Sequence, residues 1–216
     1  PDLIDVLANP EDGQSAVLAA ILAGREDSSG PEQTLLVGTN DRRFVSQGVQ
    51  FTGRWQTKGS LLEQVLEFGA RFHHDQIERL HDESGFAMER GVLVPDGRPT
   101  LITTSNNGFT RALAFHVQDE LTLGRVLLVP GARLELIETG FVDRRVATTQ
   151  RNGSSVPLVG LGAVYEPSKH FTLLAGVHQG FSPVSPGQPE EVLPERSVNY
   201  ELGGRLRSRA TKAELI

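Results

Sequence analysis

One short run, Arg71-Phe72-His73-His74-Asp75, gathers a guanidinium, two imidazoles and a carboxylate. Adjacent histidines suggest a metal ligand pair. Consecutive residues of a strand point to opposite faces, however, so His73 and His74 cannot share an ion without a bulge. Arg71, His73 and Asp75 fall on one parity and form a candidate contact set for an anionic ligand; the simpler reading of the same trio is a hydrogen-bonded network against neighbouring strands. Arg133 and His178 share that polar parity further along, and the planar fork of Arg suits carboxylates. These five residues are the candidate ligand-binding set. No catalytic set accompanies them: there is no G-x-S-x-G, and Ser168 lies near His170 in a turn without a placed acid. Phosphate loops are missing too, since Gly160-Leu161-Gly162 lies within an apolar strand and opens no helix. With zero cysteines, disulfide and thiolate-metal chemistry are excluded. The expectation is a non-enzyme without a bound cofactor or metal.

Strands must position these residues. From Phe44 to Trp55, Val45, Val49, Phe51 and Trp55 alternate with Ser46, Gly48, Gln50, Thr52 and Arg54. From Leu61 to Asp75 one face takes Leu62, Gln64, Leu66, Phe68, Ala70 and Phe72, the other Glu63, Glu67, Gly69, Arg71, His73 and Asp75. The period of two continues through Leu113 to Glu120, Val126 to Leu136, Val159 to Tyr165, Leu173 to His178 and Val198 to Leu206, with Leu127 and Val129 as misfits on the polar side. Seven strands result, and an eighth begins near Thr211.

Short connections (Gln56 to Ser60, Leu121 to Gly124, Glu166 to His170, Arg207 to Ala210) alternate with long ones (Pro1 to Arg42, Gln76 to Thr110, Glu138 to Ser155, Ser182 to Arg196). Short hairpins on one edge and long loops on the other are the connectivity of an up-and-down outer-membrane barrel, with apolar residues toward lipid and polar residues toward the lumen. On that reading the short turns are periplasmic, the long loops extracellular, and the five candidate residues lumen-facing near the outer rim. Within residues 1–42, Leu3 to Leu22 has helical spacing, cut by Pro10 and Gly13 into two short helices.

Composition narrows the partners. No apolar run reaches the roughly 18 residues of a transmembrane helix. The mean hydropathy of -0.22 is compatible with a barrel, whose strands need apolar residues only at alternate positions. A net charge of -6 argues against nucleic acid.

The segments Leu158-Val-Gly-Leu-Gly-Ala-Val-Tyr-Glu-Pro, Leu174-Ala-Gly-Val-His-Gln-Gly-Phe-Ser-Pro-Val-Ser-Pro-Gly and Pro194-Glu-Arg-Ser-Val-Asn-Tyr-Glu-Leu-Gly resemble the barrel of TonB-dependent outer-membrane receptors, and most of all the ferric citrate subgroup. Arg71-Phe-His-His-Asp, Val117-Gln-Asp-Glu and Pro130-Gly-Ala-Arg-Leu-Glu are similar to strands of the same family. The resemblance implies an all-β, antiparallel up-and-down wall of a barrel of about 22 strands. It also implies an N-terminal plug, import of a ferric chelate (ferric citrate or a siderophore) and energy from the TonB complex. Partners would be outer-membrane lipid, the chelate and, through the plug, TonB; the location would be the outer membrane of a Gram-negative bacterium. The chain is expected to be a partial barrel domain over residues 1–216, with an extracellular loop at 1–42, strands over 43–216 and the plug absent. Two other classes compete: a soluble β-sandwich that binds carbohydrate or another ligand, and an outer-membrane enzyme on a small barrel.

Overall fold

The computed structural model describes residues 3–189, 191–207 and 212–215. In chain order it contains α1 (Leu3–Ala8), α2 (Gly13–Leu22), a 3-10 turn (Pro31–Gln33), β1 (Leu35–Lys58), β2 (Glu63–Glu89), β3 (Val92–Pro95), β4 (Leu101–Leu123), β5 (Val126–Asp143), β6 (Thr148–Ser168), β7 (Phe171–Ser182), β8 (Glu195–Arg207) and β9 (Lys212–Leu215). The described strands form one sheet in the order β1-β2-β4-β5-β6-β7-β8-β9, with β3 paired to β2. Sequence neighbours are therefore sheet neighbours, which is an up-and-down meander. Tight turns close the short ends: Gly124 takes φ +58 between β4 and β5, and the Gly59 amide donates to the Leu62 carbonyl between β1 and β2. Residues 208–210 of the fourth short connection, and the strand start expected near Thr211, lie outside the described residues.

The strands run further than the polarity pattern places them. β2 continues to Glu89 and β4 starts at Leu101, so most of the stretch expected as a loop between Gln76 and Thr110 is paired strand. Likewise only residues 144–147 separate β5 from β6, and β1 begins at Leu35. Alternation fails there because ladder pairing joins backbone groups and does not require one apolar side. Charged residues such as Glu78, Arg79, Asp82 and Glu83 extend β2 without marking a face.

The chain divides into two compact units. The first comprises residues 1–43 and 78–106. Val6 of α1, Ile21 of α2 and Met88 of β2 are its buried apolar residues. Ser28 clamps the far end of β2, its amide donating to the Met88 carbonyl (2.9 Å) while its Oγ accepts from the Met88 amide (3.0 Å). The Arg90 amide donates to Asp27 Oδ1 (2.6 Å), and Thr34 Oγ1 to Asp96 Oδ2 (3.2 Å).

The second unit comprises residues 44–77 and 107–216. Its register keeps each parity on one face across four strands. Leu128 lies opposite Ala163, Ala163 opposite Ala175, and Ala175 opposite Leu202; on the other face Gly131 meets Gly160 and Gly160 meets His178. Burial is inverted relative to a sheet that folds in water. Val65, Ala114, Glu135, Ile137, Thr139, Val156 and Thr172 are buried, and all have the polar parity. On the inner strands the apolar parity is exposed, with Val159 at 59%, Leu161 at 48%, Phe115 at 45% and Val117 at 44%, whereas β1 and β8 are largely exposed on both faces. Among the described residues no second sheet covers this apolar face, which removes the β-sandwich reading.

The first unit depends on a close backbone approach. Gly24 ends α2 at φ +67, and a Cβ there would stand 3.3 Å from Gly91 Cα. Gly24→Ala should destabilise this unit by about 1–2 kcal/mol, from the left-handed backbone alone. Limited proteolysis should then cut the stretch from Ala23 to Gln33 faster than in the wild type while the second unit stays resistant. Unchanged cleavage would show that the approach contributes nothing.

Candidate functional site

On the polar face of β1 and β2, Arg71, His73, Asp75 and Ser46 form one hydrogen-bonded group. Arg71 Nη2 lies 2.9 Å from His73 Nδ1, and a guanidinium only donates, so Nδ1 accepts. His73 Nε2 therefore carries the proton and points at Asp75 Oδ2, 2.7 Å away. Ser46 Oγ also approaches Nε2, at 3.5 Å. Serine and aspartate thus crowd the same ring nitrogen, whereas a proton-relaying triad needs them on opposite nitrogens. The group is a satisfied network rather than a hydrolytic set. His74 leaves from the other face, its ring 6.4 Å from that of Phe109, so the two adjacent histidines do diverge.

The other two predicted residues meet elsewhere. Arg133 and His178 both line a concavity of about 600 Å³ on the polar face of β4 to β8. Its floor is backbone: Gly131 and Gly160 are cross-strand partners, Gly162 faces Gly176, and Gly203 follows on β8. Of these glycines only Gly160 is tightly hemmed, since a Cβ there would come within 3.1 Å of His178 Cβ; at Gly131, Gly162 and Gly176 an added Cβ would make ordinary contact. Leu127 and Val129, misfits by sequence, find apolar partners here: Leu127 lies opposite Val164, Val164 opposite Leu174, and Val129 opposite Gly162.

Charge around the concavity is paired. Arg133 donates from Nε to Glu135 Oε1 (2.6 Å), with Nη2 at 2.5 Å from the same oxygen. Glu135 is only 6% exposed, so Arg133 compensates a buried carboxylate while keeping part of its fork at the surface. His178 Nδ1 stands 4.0 Å from Glu201 Oε1, and His116 Nε2 lies 3.8 Å from Glu67 Oε1. Glu135, His116, Gln118 and Glu201 were not singled out from sequence. Their parity was visible, but their neighbourhood depends on cross-strand register, which no single strand reveals. Among the described residues no three His, Asp or Glu side chains come together as a metal site.

A polar contact also interrupts the apolar face. Gln64 Nε2 donates to Asp119 Oδ2 at 2.6 Å, close to the short-turn ends of β2 and β4.

Comparison with known proteins agrees with this architecture. The family model described as TonB dependent receptor-like, beta-barrel matches residues 14–215. Among solved structures, the ferric citrate transporter FecA in its unliganded form is similar at TM-score 0.74 and 21% identity, covering 83% of this chain and 27% of that one. The ferric preacinetobactin receptor BauA of Acinetobacter baumannii matches at TM-score 0.59 and 14% identity, over 81% of this chain and 28% of that chain. The siderophore receptor PiuA of the same organism matches at 0.57 and 14%, over 78% and 30%. The chain spans less than a third of the length of these structures. At such identities the likeness concerns the fold; the family match rests on nearly the whole sequence. The chain belongs to the TonB-dependent receptor-like β-barrel family.

Proposed function

We propose that this chain is part of the wall of an outer-membrane receptor that imports a ferric chelate, with energy supplied by TonB through a plug seated within the barrel. The observation that carries the reading is the inverted burial of the second unit within this family's fold. Its apolar parity runs from Val126 to Leu136 on β5, about 11 residues, the length a tilted strand needs to cross the hydrocarbon core. An exposed apolar surface of this extent is unsuited to water. Facing lipid, it is the normal outside of a barrel.

The polar face then lines the lumen. A glycine floor keeps the passage open, and Arg133 and His178 offer donors beside it. Ferric citrate and many siderophores are anionic chelates rich in carboxylate or other oxygen donors, which such groups can hold. Arg71, His73 and Asp75 form a second polar station, where a ligand would compete with bonds the residues already make to one another. Short turns would face the periplasm and the long connections the exterior. The chemistry of the side chains favours a receptor over an enzyme, because Ser46, His73 and Asp75 lack relay geometry.

Two expectations test this. Leu134→Arg on the apolar face should cost about 2–4 kcal/mol in a bilayer, read as a lower urea midpoint in lipid vesicles and less heat-modifiable protein in outer-membrane fractions. Equal urea midpoints for wild type and variant in vesicles would mean that this face does not meet lipid. Separately, iron-starved cells expressing the protein should take up radioactive ferric citrate or a ferric siderophore only when TonB is present. Arg133→Lys keeps the charge that Glu135 needs but removes the fork, and with His178→Ala should weaken chelate binding about tenfold at unchanged barrel yield. Uptake indifferent to both TonB and these substitutions would overturn the transport reading.

A further inference from the structure

On the apolar face, the polarity changes abruptly two residues above the band. Leu113 gives way to Arg111 on β4, and Leu136 to Glu138 on β5; on β6, Arg151 lies opposite Gly140 of β5. These side chains form a group on the long-connection side of the sheet. Glu138 Oε2 stands 3.9 Å from Arg111 Nη1, and its Oε1 stands 3.7 Å from Arg151 Nη1. Both separations exceed the roughly 2.7–2.9 Å of a charge-assisted hydrogen bond. The carboxylate therefore lowers the repulsion between two guanidinium groups without occupying their forks. Arg111 and Arg151 remain 55% and 70% exposed in their side chains.

The group has a built support. The Arg111 guanidinium lies over the Phe109 ring, 5.0 Å from its centroid. Phe109 in turn fits only because residue 140 is glycine, since a Cβ there would enter the ring. The His74 ring stands 6.4 Å from Phe109. One cation is thus held in place at the edge of the apolar band, and a second stands across Glu138.

We infer that Arg111 and Arg151 form a site for the phosphorylated headgroup of an outer-leaflet lipid, whose acyl chains lie against Leu113, Leu134 and Leu136 below. The inference rests on the membrane reading above, because only a lipid lying along the apolar band places its phosphates at the height of Arg111 and Glu138, about 6–7 Å along the strand from the last apolar residue, with Arg151 reaching back toward Glu138 from the level of Gly140. The net charge of the group, two cations against one anion, complements a phosphate. A planar guanidinium binds phosphate oxygens in two parallel bonds, and the carboxylate between the forks sets their spacing. A free anion would gain the same charge contacts but nothing from the apolar surface that continues them.

The test uses the protein extracted from outer membranes in mild detergent, stripped of lipid and titrated with diphosphoryl lipid A under native mass spectrometry. Wild type should retain lipid A, and excess inorganic phosphate should not displace it. Arg111→Gln with Arg151→Gln should weaken retention about tenfold or more, given the contribution of each surface cation to anionic-lipid binding. Gly140→Ala, which displaces Phe109 and leaves every charge in place, should weaken it several-fold. Heat-modifiable migration reports the fold of each variant. Equal retention by a correctly folded double-glutamine protein overturns the site and leaves the membrane reading standing. Complete displacement by inorganic phosphate overturns the lipid assignment. A protein recovered only in the soluble fraction overturns both readings.

Discussion

Everything in the second unit depends on register. A slip of one residue in any antiparallel pair would exchange the two faces of that strand. The pairing of Val126 with Tyr165, Tyr165 with Leu173 and Phe171 with Leu206 holds an unbroken apolar surface across β5 to β8. The same ladder stacks Gly131, Gly160, Gly162 and Gly176 on the reverse side. An apolar face and an open polar face are therefore one constraint seen from two sides. Neither could be altered alone without breaking the alternation that produces the other.

That constraint explains how polar groups are managed. Inward charges are paired across or along strands, Arg133 with Glu135 and His73 with Arg71 and Asp75, because the sheet shields them on one side while leaving the other open. A buried carboxylate such as Glu135 would be costly without its cation. Pairing also limits what these residues can do chemically: a guanidinium tied to a buried carboxylate is a positioned donor, not a mobile one. The polar face consequently carries separate bonded groups, Arg133 with Glu135 and Arg71 with His73 and Asp75, rather than one deep pocket.

Sequence made the faces visible but not the neighbours. The parity of Val49, Phe51 and Trp55, or of Leu173, Ala175 and Val177, follows from local order alone; exposure matches it on β7, where Thr172, Leu174 and Gly176 are the more buried positions, while β1 is exposed on both faces. The separation of His73 from His74 follows in the same way. What could not be read was which polar residues meet, since Glu67 and His116, or His178 and Glu201, are joined only by pairing between strands. Strand ends were also hidden. β2 and β4 extend through charged residues whose pattern marks no face, because beyond the apolar band the backbone ladder continues under different side-chain rules.

The change of rules along a single strand is itself informative. On β4 the face that carries Leu113, Phe115 and Val117 carries Phe109 and Arg111 above them, and on β5 Leu134 and Leu136 are followed by Glu138. A water-soluble strand has no reason to place a sharp boundary between apolar and ionic residues on its exposed side. In a bilayer the boundary is obligatory, since an arginine costs about 2–4 kcal/mol at mid-membrane and nearly nothing at the interface. The Gln64 and Asp119 pair marks the opposite limit near the short turns. Between these two polar limits lies the apolar band, of the length that a lipid-facing strand would need.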